Sequence, residues 1–381
     1  MARASAIAMA EGEGPPEADR LDGFLHPRDC HDLFGHGQAE ARLGDVLQRG
    51  RLHHAWLFTG PEGIGKAVLA YRFARFLLAD EAEREHSSGP GLGIAAETIT
   101  ARQISRQAHP NLLVVRRPWN LQRKRFATAI PVDEVRRLRN FLGLTAAGGN
   151  WRIIIVDRAD ELNRNAANAL LKALEEPPEK CIFFLISATA GRLLPTIRSR
   201  CQRLELHALG ADDLRAAMVS ACRAVDIAPP DAQDFDRLAL LSGGSVRRGL
   251  ELISGEGLEL YKQLIGILET LPRADYVKIH ALAERISAPA ADAQWEMFHS
   301  LLDETLRRFV RVGAGVTPGE GQEEDLVNRL AIKSHLAVWA GLWETITRER
   351  AEALALNLDR KSLILGIFQK LESAAHFPDS R

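Results

Sequence analysis

The chain has 381 residues, of which 46% are hydrophobic and 26% charged, close to the composition of an average globular protein. Its 49 Lys and Arg residues nearly balance its 50 Asp and Glu residues, so the formal net charge is −1. This balance argues against a generally basic coat for nucleic acid and against a polyacidic tail, although it leaves room for local patches. At roughly 150 residues per domain, the length indicates two or three domains.

Cysteine usage and apolar patterning indicate a cytoplasmic protein. The four cysteines contain no C-x-x-C pair, which argues against a disulfide scaffold and a four-thiolate zinc site. Residues 1–20 are rich in Ala, Glu, Gly and Pro, so we expect a disordered tail rather than a signal peptide. The longest apolar stretch, at residues 181–190, is shorter than the roughly 18 residues of a membrane span. We therefore expect a soluble, cytoplasmic chain without a membrane partner.

From residue 55 to residue 206, short apolar runs alternate with amphipathic segments. Strands are predicted at residues 55–59, 112–115, 152–157, 181–186 and 202–206. Helices are predicted between them, at residues 65–78, 132–142 and 164–175. Continuous apolar strands that alternate with helices indicate a parallel sheet covered on both faces, hence an α/β domain.

After residue 207 the pattern predicts helices only. The first three span residues 211–225, 234–241 and 246–253, the third capped by Ser245, and form a small helical module. From residue 257 onward the chain is again helical. An amphipathic stripe there has spacings of three and four and is typical of a core or a subunit contact; it consists of Trp295, Phe298, Leu302, Leu306 and Phe309.

A glycine-rich segment lies between the first predicted strand and its helix. The segment Gly60-Pro-Glu-Gly-Ile-Gly-Lys66 has the pattern G-x-x-x-x-G-K in the context typical of a phosphate-binding loop. Gly60, Gly63 and Gly65 would let backbone N–H groups approach the phosphates, and Lys66 would add a charge at the helix N-terminus. The alternative is a glycine turn followed by a lysine by chance.

Further segments make a family resemblance specific. They are Asn168-Ala-Leu-Leu-Lys-Ala-Leu-Glu-Glu-Pro-Pro178, Leu194-Pro-Thr-Ile-Arg-Ser-Arg-Cys201, and His109-Pro-Asn-Leu-Leu113 with Ile130-Pro-Val-Asp-Glu-Val-Arg136. In this order and spacing the chain resembles the delta-prime subunits of the bacterial DNA polymerase III clamp loader, in the AAA+ clamp-loader family. The resemblance covers about residues 34–206 and continues more weakly through the helical remainder, including Asn357-Leu-Asp359.

The resemblance implies an architecture and an assembly. We expect an α/β AAA+ P-loop parallel-sheet domain at residues 21–206, a small three-helix lid at residues 207–256 and an all-α collar at residues 257–381. Residues 1–20 would form the tail. The family's complex is a hetero-pentamer of ATPase subunits and a delta subunit, which opens the sliding clamp and loads it at primed DNA. Contacts of this chain with the clamp and the DNA are therefore expected through the complex.

Two groups that ATP hydrolysis requires are replaced. A working phosphate loop has Ser or Thr after its lysine, because the hydroxyl ligates Mg²⁺, whereas this chain has Ala67. Asp157 ends the third strand, where a carboxylate would hold Mg²⁺ through water. The next residue in an ATP-hydrolysing AAA+ protein is normally a glutamate that orients the attacking water, and here it is Arg158. We predict no hydrolysis and no required cofactor, although the loop could still hold ATP or ADP.

The motif Ser199-Arg200-Cys201 implies a role in a neighbour's site. In the family this arginine reaches the ATP of the adjacent motor subunit. Such fingers neutralise charge in the transition state and accelerate hydrolysis on the order of 10³–10⁵-fold. The resemblance therefore implies that Arg200 is an arginine finger acting in trans. The alternative is a surface arginine paired with a local carboxylate.

One family feature is missing from the sequence. Many clamp-loader ATPases carry a four-cysteine zinc insert after the helix of the phosphate loop. Residues 80–108 of this chain contain no cysteine, so we predict no zinc.

A basic and aromatic patch follows the second predicted strand. It consists of Arg116, Arg117, Trp119, Arg123, Lys124, Arg125 and Phe126. It could contact a DNA backbone, with a ring available for base stacking, or it could be a solvated loop.

Three functional hypotheses follow. The preferred one is a non-hydrolysing clamp-loader subunit that completes a neighbour's ATP site. The second is an autonomous AAA+ ATPase, such as a motor subunit of the same loader, against which Ala67 and Arg158 argue. The third is a nucleic-acid-binding module that acts alone.

Overall fold

A computed structural model describes residues 16–85, 91–143, 151–288, 290–316, 321–330, 336–356 and 358–376. The described chain forms two compact units, one up to Leu250 and one from Glu251 onward. Among the described helices, none combines the length and the apolar character that crossing a membrane requires.

Seven strands are described, and five of them form one parallel sheet. They are β1 (Ala55–Thr59), β2 (Leu112–Val115), β3 (Trp119–Asn120), β4 (Arg125–Phe126), β5 (Arg152–Val156), β6 (Cys181–Ser187) and β7 (Gln202–Glu205). The sheet has the order β2-β5-β6-β1-β7, and β3 pairs with β4 in a separate antiparallel hairpin. Every side chain of β1 and β6 is buried, as expected for strands covered on both faces.

Among the described residues, ten helices begin before the boundary between the two units. They are α1 (Gly37–Gln48), α2 (Lys66–Leu78), α3 (Glu81–Glu85), α4 (Ile99–Ser105), α5 (Val132–Gly143), α6 (Arg164–Glu175), α7 (Pro195–Arg198), α8 (Ala211–Arg223), α9 (Ala232–Ser242) and α10 (Val246–Ser254). Local signals explain several helix starts. The side chain of Asn163 accepts a hydrogen bond from the Ala166 N–H at α6, and Asp231 does the same for Asp234 at α9.

Alternate residues of the strands form the two sides of the core. On one side, Leu57, Phe183 and Leu185 belong to a buried cluster with α5 and α6, which contribute Leu138 and Leu170. On the other side, Phe184 stacks with Phe58 at 5.6 Å between ring centroids and contacts Phe73 of α2 at 5.5 Å. Full burial of each such side chain contributes roughly 1.5–3 kcal/mol, so this core fixes the sheet that carries the site.

The second unit is helical throughout its described residues. Its remaining helices are α11 (Gly257–Leu268), α12 (Tyr276–Ser287), α13 (Asp292–Gly313), α14 (Gly321–Leu330), α15 (Leu336–Leu356) and α16 (Arg360–Ala375). The predicted stripe of α13 is buried, with Phe309 against Trp339 of α15 and Phe298 against Phe368 of α16. The fold class is confirmed as a parallel sheet with flanking helices, followed by helices alone in the described C-terminal residues.

The arrangement differs from the expected one in two places. Residues 16–20, expected in a disordered tail, form ion pairs through Glu17 and Asp19, whereas residues 1–15 lie outside the described residues. The helical module at residues 207–256 was expected to form a separate lid. Up to Leu250 it belongs instead to the same unit as the α/β domain, and the unit boundary falls inside α10. The reason is direct contact, since the Arg247 N–H donates to the Gly63 carbonyl of the phosphate loop at 3.2 Å.

Candidate functional site

The predicted phosphate loop lies at the carboxyl edge of the sheet, between β1 and α2. Gly60, Gly63 and Gly65 have φ angles of +139°, +75° and +106°, in the region that favours glycine. A Cβ atom on Gly60 would overlap the Leu206 carbonyl oxygen, and one on Gly63 would overlap Ser245 and Arg247. The glycines therefore allow both the loop conformation and the close approach of neighbouring backbone.

The ammonium group of Lys66 turns into this loop. Its Nζ donates to the Gly60 carbonyl at 2.7 Å and also to the Pro61 carbonyl. The residue is 6% exposed, and burial lowers the pKa of Lys66 to about 8, against the opposing charges of Glu62 and Asp157. A lysine held in this way keeps its charge beside the N-terminus of α2, where anions are favoured.

The strand order brings Asp157 to the same edge. Asp157 follows β5, which pairs with β6, and β6 in turn pairs with β1, so the carboxylate and the loop flank the end of β6. Burial raises the pKa of Asp157 to about 7, and the nearby negative charge of Asp19 adds to this effect. A carboxyl with a raised pKa gives up its proton less readily, so ionising Asp157 to bind a cation carries a free-energy cost.

Arg158 lines the site and pairs with the phosphate loop. Its φ angle of +56° is unusual for a residue other than glycine. Its Nη1 and Nη2 atoms form a fork on the Glu62 carboxylate at 2.9 and 3.2 Å, and its Nε lies 2.8 Å from Glu161. Glu161 also pairs with Arg117 at 2.7 Å. The residue that replaces the expected catalytic glutamate is thus fixed between two carboxylates.

The N-terminal segment contributes a charged cluster next to Asp157. Asp19 lies 2.9 Å from His26 and 3.0 Å from Arg116, and Glu17 pairs with Arg28 at 2.6 Å. Burial opposes ionisation of Asp19, but its hydrogen bond to His26 and the charges of His26 and Arg116 outweigh burial and lower its pKa to about 2. Asp19 is consequently a fixed negative charge.

A cavity of about 410 Å³ joins these parts. It is lined by Leu21 and Phe24 of the N-terminal segment, by Lys66 and Asp157, and by Ala217, Val246 and Leu250 of the helical module. Its size falls in the range of small-molecule sites, and its walls are largely apolar. A site with apolar walls and a phosphate loop suits a ligand that has a ring system and phosphate groups.

The residues of the site fit a nucleotide better than they fit Mg²⁺. The positive-φ glycines, the helix N-terminus and Lys66 supply what phosphates need. For a metal, Ala67 supplies no hydroxyl, and burial raises the pKa of the Asp157 carboxyl. Within the described part of the chain, no group of three His, Cys, Asp or Glu side chains could hold a metal ion.

Arg200 lies away from the other predicted site residues. It precedes β7, which runs parallel to β1, whereas the phosphate loop follows β1. Arg200 is therefore at the amino edge of the sheet and the loop at the carboxyl edge, separated by a strand of five residues, or roughly 16 Å. Its guanidinium lies 2.8 Å from Glu175 at the end of α6 and donates to the Thr196 carbonyl at 3.0 Å. Its side chain is 35% exposed.

Several residues of the site escape prediction from the sequence. Glu17, Asp19 and Glu161 belong to no motif, and Glu62 occupies a variable position of the phosphate-loop motif. All four pair with partners that are distant in the chain. The spacing of Glu161 from Arg158, three residues, is the sole local hint of their pairing.

Comparisons with known proteins point to one family. A family described as "DNA polymerase III, delta subunit" matches residues 35–210. The delta' subunit of Escherichia coli DNA polymerase III is 32% identical over 65% of this chain and 69% of that protein. The delta' subunit of Pseudomonas aeruginosa DNA polymerase III is 36% identical over 50% of this chain. The match spans about half of that relative's own length, 53%. Among solved structures, a gamma subunit-related protein of Thermotoga maritima is 19% identical with a TM-score of 0.40, over 88% of this chain and 99% of that one.

Proposed function

The chain belongs to the DNA polymerase III delta-prime family, and we propose that it is the non-hydrolysing delta-prime subunit of a clamp loader. In this role it joins other clamp-loader ATPase subunits and a delta subunit in a hetero-pentamer. The complex loads the sliding clamp onto primed DNA, so the chain would work in the cytoplasm. Its own contribution is to complete the ATP site of a neighbour with Arg200.

The observation that carries this proposal is the position of Arg200. At the amino edge of the sheet it is a strand's length from its own phosphate loop, so it cannot reach a phosphate bound there. A partly exposed guanidinium at that edge is available to another subunit. Glu175 supplies a carboxylate that a neighbour's γ-phosphate would replace as the partner of the guanidinium.

The chain's own site supports the absence of hydrolysis. Ala67 provides no metal ligand, and Arg158 cannot accept a proton from water. Arg158 is in addition held in a fork on Glu62, so the residue after Asp157 supplies a fixed cation rather than a base. A ligand in this cavity would be bound but not cleaved.

We predict that the purified chain binds ADP without Mg²⁺. Lys66 and the loop N–H groups neutralise the phosphates, so chelating Mg²⁺ with EDTA is expected to leave the Kd unchanged within about twofold, as no metal ligand is lost. Lys66→Ala removes a charge-assisted hydrogen bond and is expected to weaken binding about 10–100-fold. Lys172→Ala, at an exposed lysine of α6, is the matched control. Calorimetry that shows tighter binding with Mg²⁺ would contradict the assignment.

The proposed assembly is tested by co-purification from a cytosolic extract of the source organism. Recovery of clamp-loader ATPases together with the full chain is the expected result. Robust Mg²⁺-dependent ATP hydrolysis by the chain alone, abolished by Lys66→Ala, would instead establish an autonomous ATPase. Recovery of no clamp-loader subunit would overturn the role proposed here.

A further inference from the structure

The hairpin of β3 and β4 carries a concentration of positive charge that the proposed function does not use. Residues 116–132 include five cations and no Asp or Glu, in a chain whose net charge is −1. Arg116 and Arg117, at the base of this segment, are paired with carboxylates. Arg123, Lys124 and Arg125, at the tip, are exposed and form no ion pair with any residue that the structure describes.

The base of the hairpin is held by several side-chain and backbone contacts. Trp119 and Phe126 form a cross-strand pair and meet edge to face, with 4.9 Å between ring centroids. The Arg117 guanidinium lies over the Phe126 ring at 6.0 Å while it pairs with Glu161. The Ala127 N–H also donates to the Pro118 carbonyl at 3.0 Å. Cross-strand aromatic pairs of this kind stabilise a hairpin, so the tip is presented on a defined support.

The tip is a four-residue turn, residues 121–124, in which an exposed Leu121 precedes polar and charged residues. The Arg123 N–H donates to the Asn120 side chain at 2.9 Å, and Lys124 has a φ angle of +46°. Glycine or asparagine fits that φ angle with less strain than lysine does. The lysine therefore adds charge to the tip at a position where the backbone would favour another residue.

The separation of rings from cations decides what the hairpin can recognise. Trp119 and Phe126 are half-buried at the base and contact each other and Arg117, so they offer no open platform for unstacked bases. The tip offers three unpaired cations, which suit a row of phosphates. This is a surface for a nucleic-acid backbone rather than for bases.

We propose that the tip of this hairpin, formed by Arg123, Lys124 and Arg125, binds the phosphate backbone of duplex DNA without reading its sequence. The contact is a surface of this chain itself, separate from the phosphate loop and from Arg200. It does not depend on whether the chain completes a neighbour's ATP site.

The test measures the binding of the full chain to a labelled duplex of about 20 base pairs by fluorescence anisotropy, at NaCl concentrations from about 50 to 200 mM. The hairpin variant is Arg123→Ala/Lys124→Gly/Arg125→Ala, in which glycine also relieves the positive φ angle of Lys124. Each phosphate contact contributes about 0.9 to the slope of log K against log salt, so the variant is expected to lower that slope by about 2–3.

The matched control removes three other exposed cations, in Arg42→Ala/Arg49→Ala/Arg51→Ala, and is expected to lower the slope by less than about 1. Circular dichroism and the Tm check that both variants fold. Equal losses in the two variants would overturn the proposal, as would no binding of the wild type at the lowest salt concentration. Tighter binding to single-stranded oligothymidine than to the duplex would indicate base stacking and would also overturn it.

Discussion

Arg200→Ala is expected to reduce ATP hydrolysis at the neighbouring subunit's site by at least about 10³-fold in the reconstituted clamp loader. The guanidinium supplies charge to the transition state, and alanine leaves that charge uncompensated. The measurement is the clamp- and DNA-stimulated ATPase rate of the assembled complex, with assembly checked by gel filtration. The total ATPase rate of the complex would fall only by the fraction that the neighbour's site contributes, because the other ATP sites continue to turn over.

The surroundings of Arg200 provide matched variants. Arg198→Ala removes an exposed arginine of the same segment and is expected to leave the rate unchanged. Glu175→Gln keeps the arginine but removes the carboxylate charge that pairs with it. The ATPase rate at the neighbour's site is then expected to fall by a smaller factor, up to about 10²-fold, as when a catalytic group is misplaced. Glu176→Gln, at the next residue, controls for the loss of a carboxylate. An unchanged rate in assembled Arg200→Ala complexes would contradict the finger assignment.

The parts of the site that depend on local sequence are the parts that the sequence predicts. The bounds of β1 and β2 and of α6 agree with the prediction, because continuous apolar runs and a capping Asn163 mark them within a few residues. The conformation of the phosphate loop likewise depends on its own glycines. Each of these signals lies within one strand, one loop or one helix, so it can be recognised from the amino-acid sequence without knowledge of the fold.

The rest of the site depends on residues that are far apart in the chain. Arg158 lies just after β5, as the sequence predicts, but its fork on Glu62 joins residues 96 positions apart. The ion pairs of Asp19 with Arg116 join residues 97 positions apart. Neither pair leaves a periodic pattern in the sequence, because only the fold brings the partners together. The same holds for the hairpin, whose two-residue strands are too short to give an alternating pattern.

Asp157 links these distant contacts to a measurable property, the dependence of stability on pH. In the folded chain the pKa of Asp157 is raised from the ordinary 3.8 to about 7, mainly by burial, with Asp19 as a second cause. A raised pKa means that the folded state favours the protonated carboxyl. The stability that this proton provides is complete below about pH 4 and is lost as the pH rises through about 7.

Asp157→Asn removes this titration because the amide stays neutral at every pH. We expect the free energy of unfolding of the variant, relative to wild type, to be higher at pH 8 than at pH 5 by about 2–3 kcal/mol, since wild type loses about 1.4 kcal/mol per pH unit between pH 5 and the folded pKa of about 7. Urea unfolding at the two pH values measures it, and the difference between them cancels the fixed cost of the substitution. Asp45→Asn, at an exposed position of α1, is expected to give no such difference. If Asp157→Asn and wild type lose stability in parallel between pH 5 and pH 8, Asp157 is ionised in the fold, and the reasoning that disfavours a metal at this carboxylate fails.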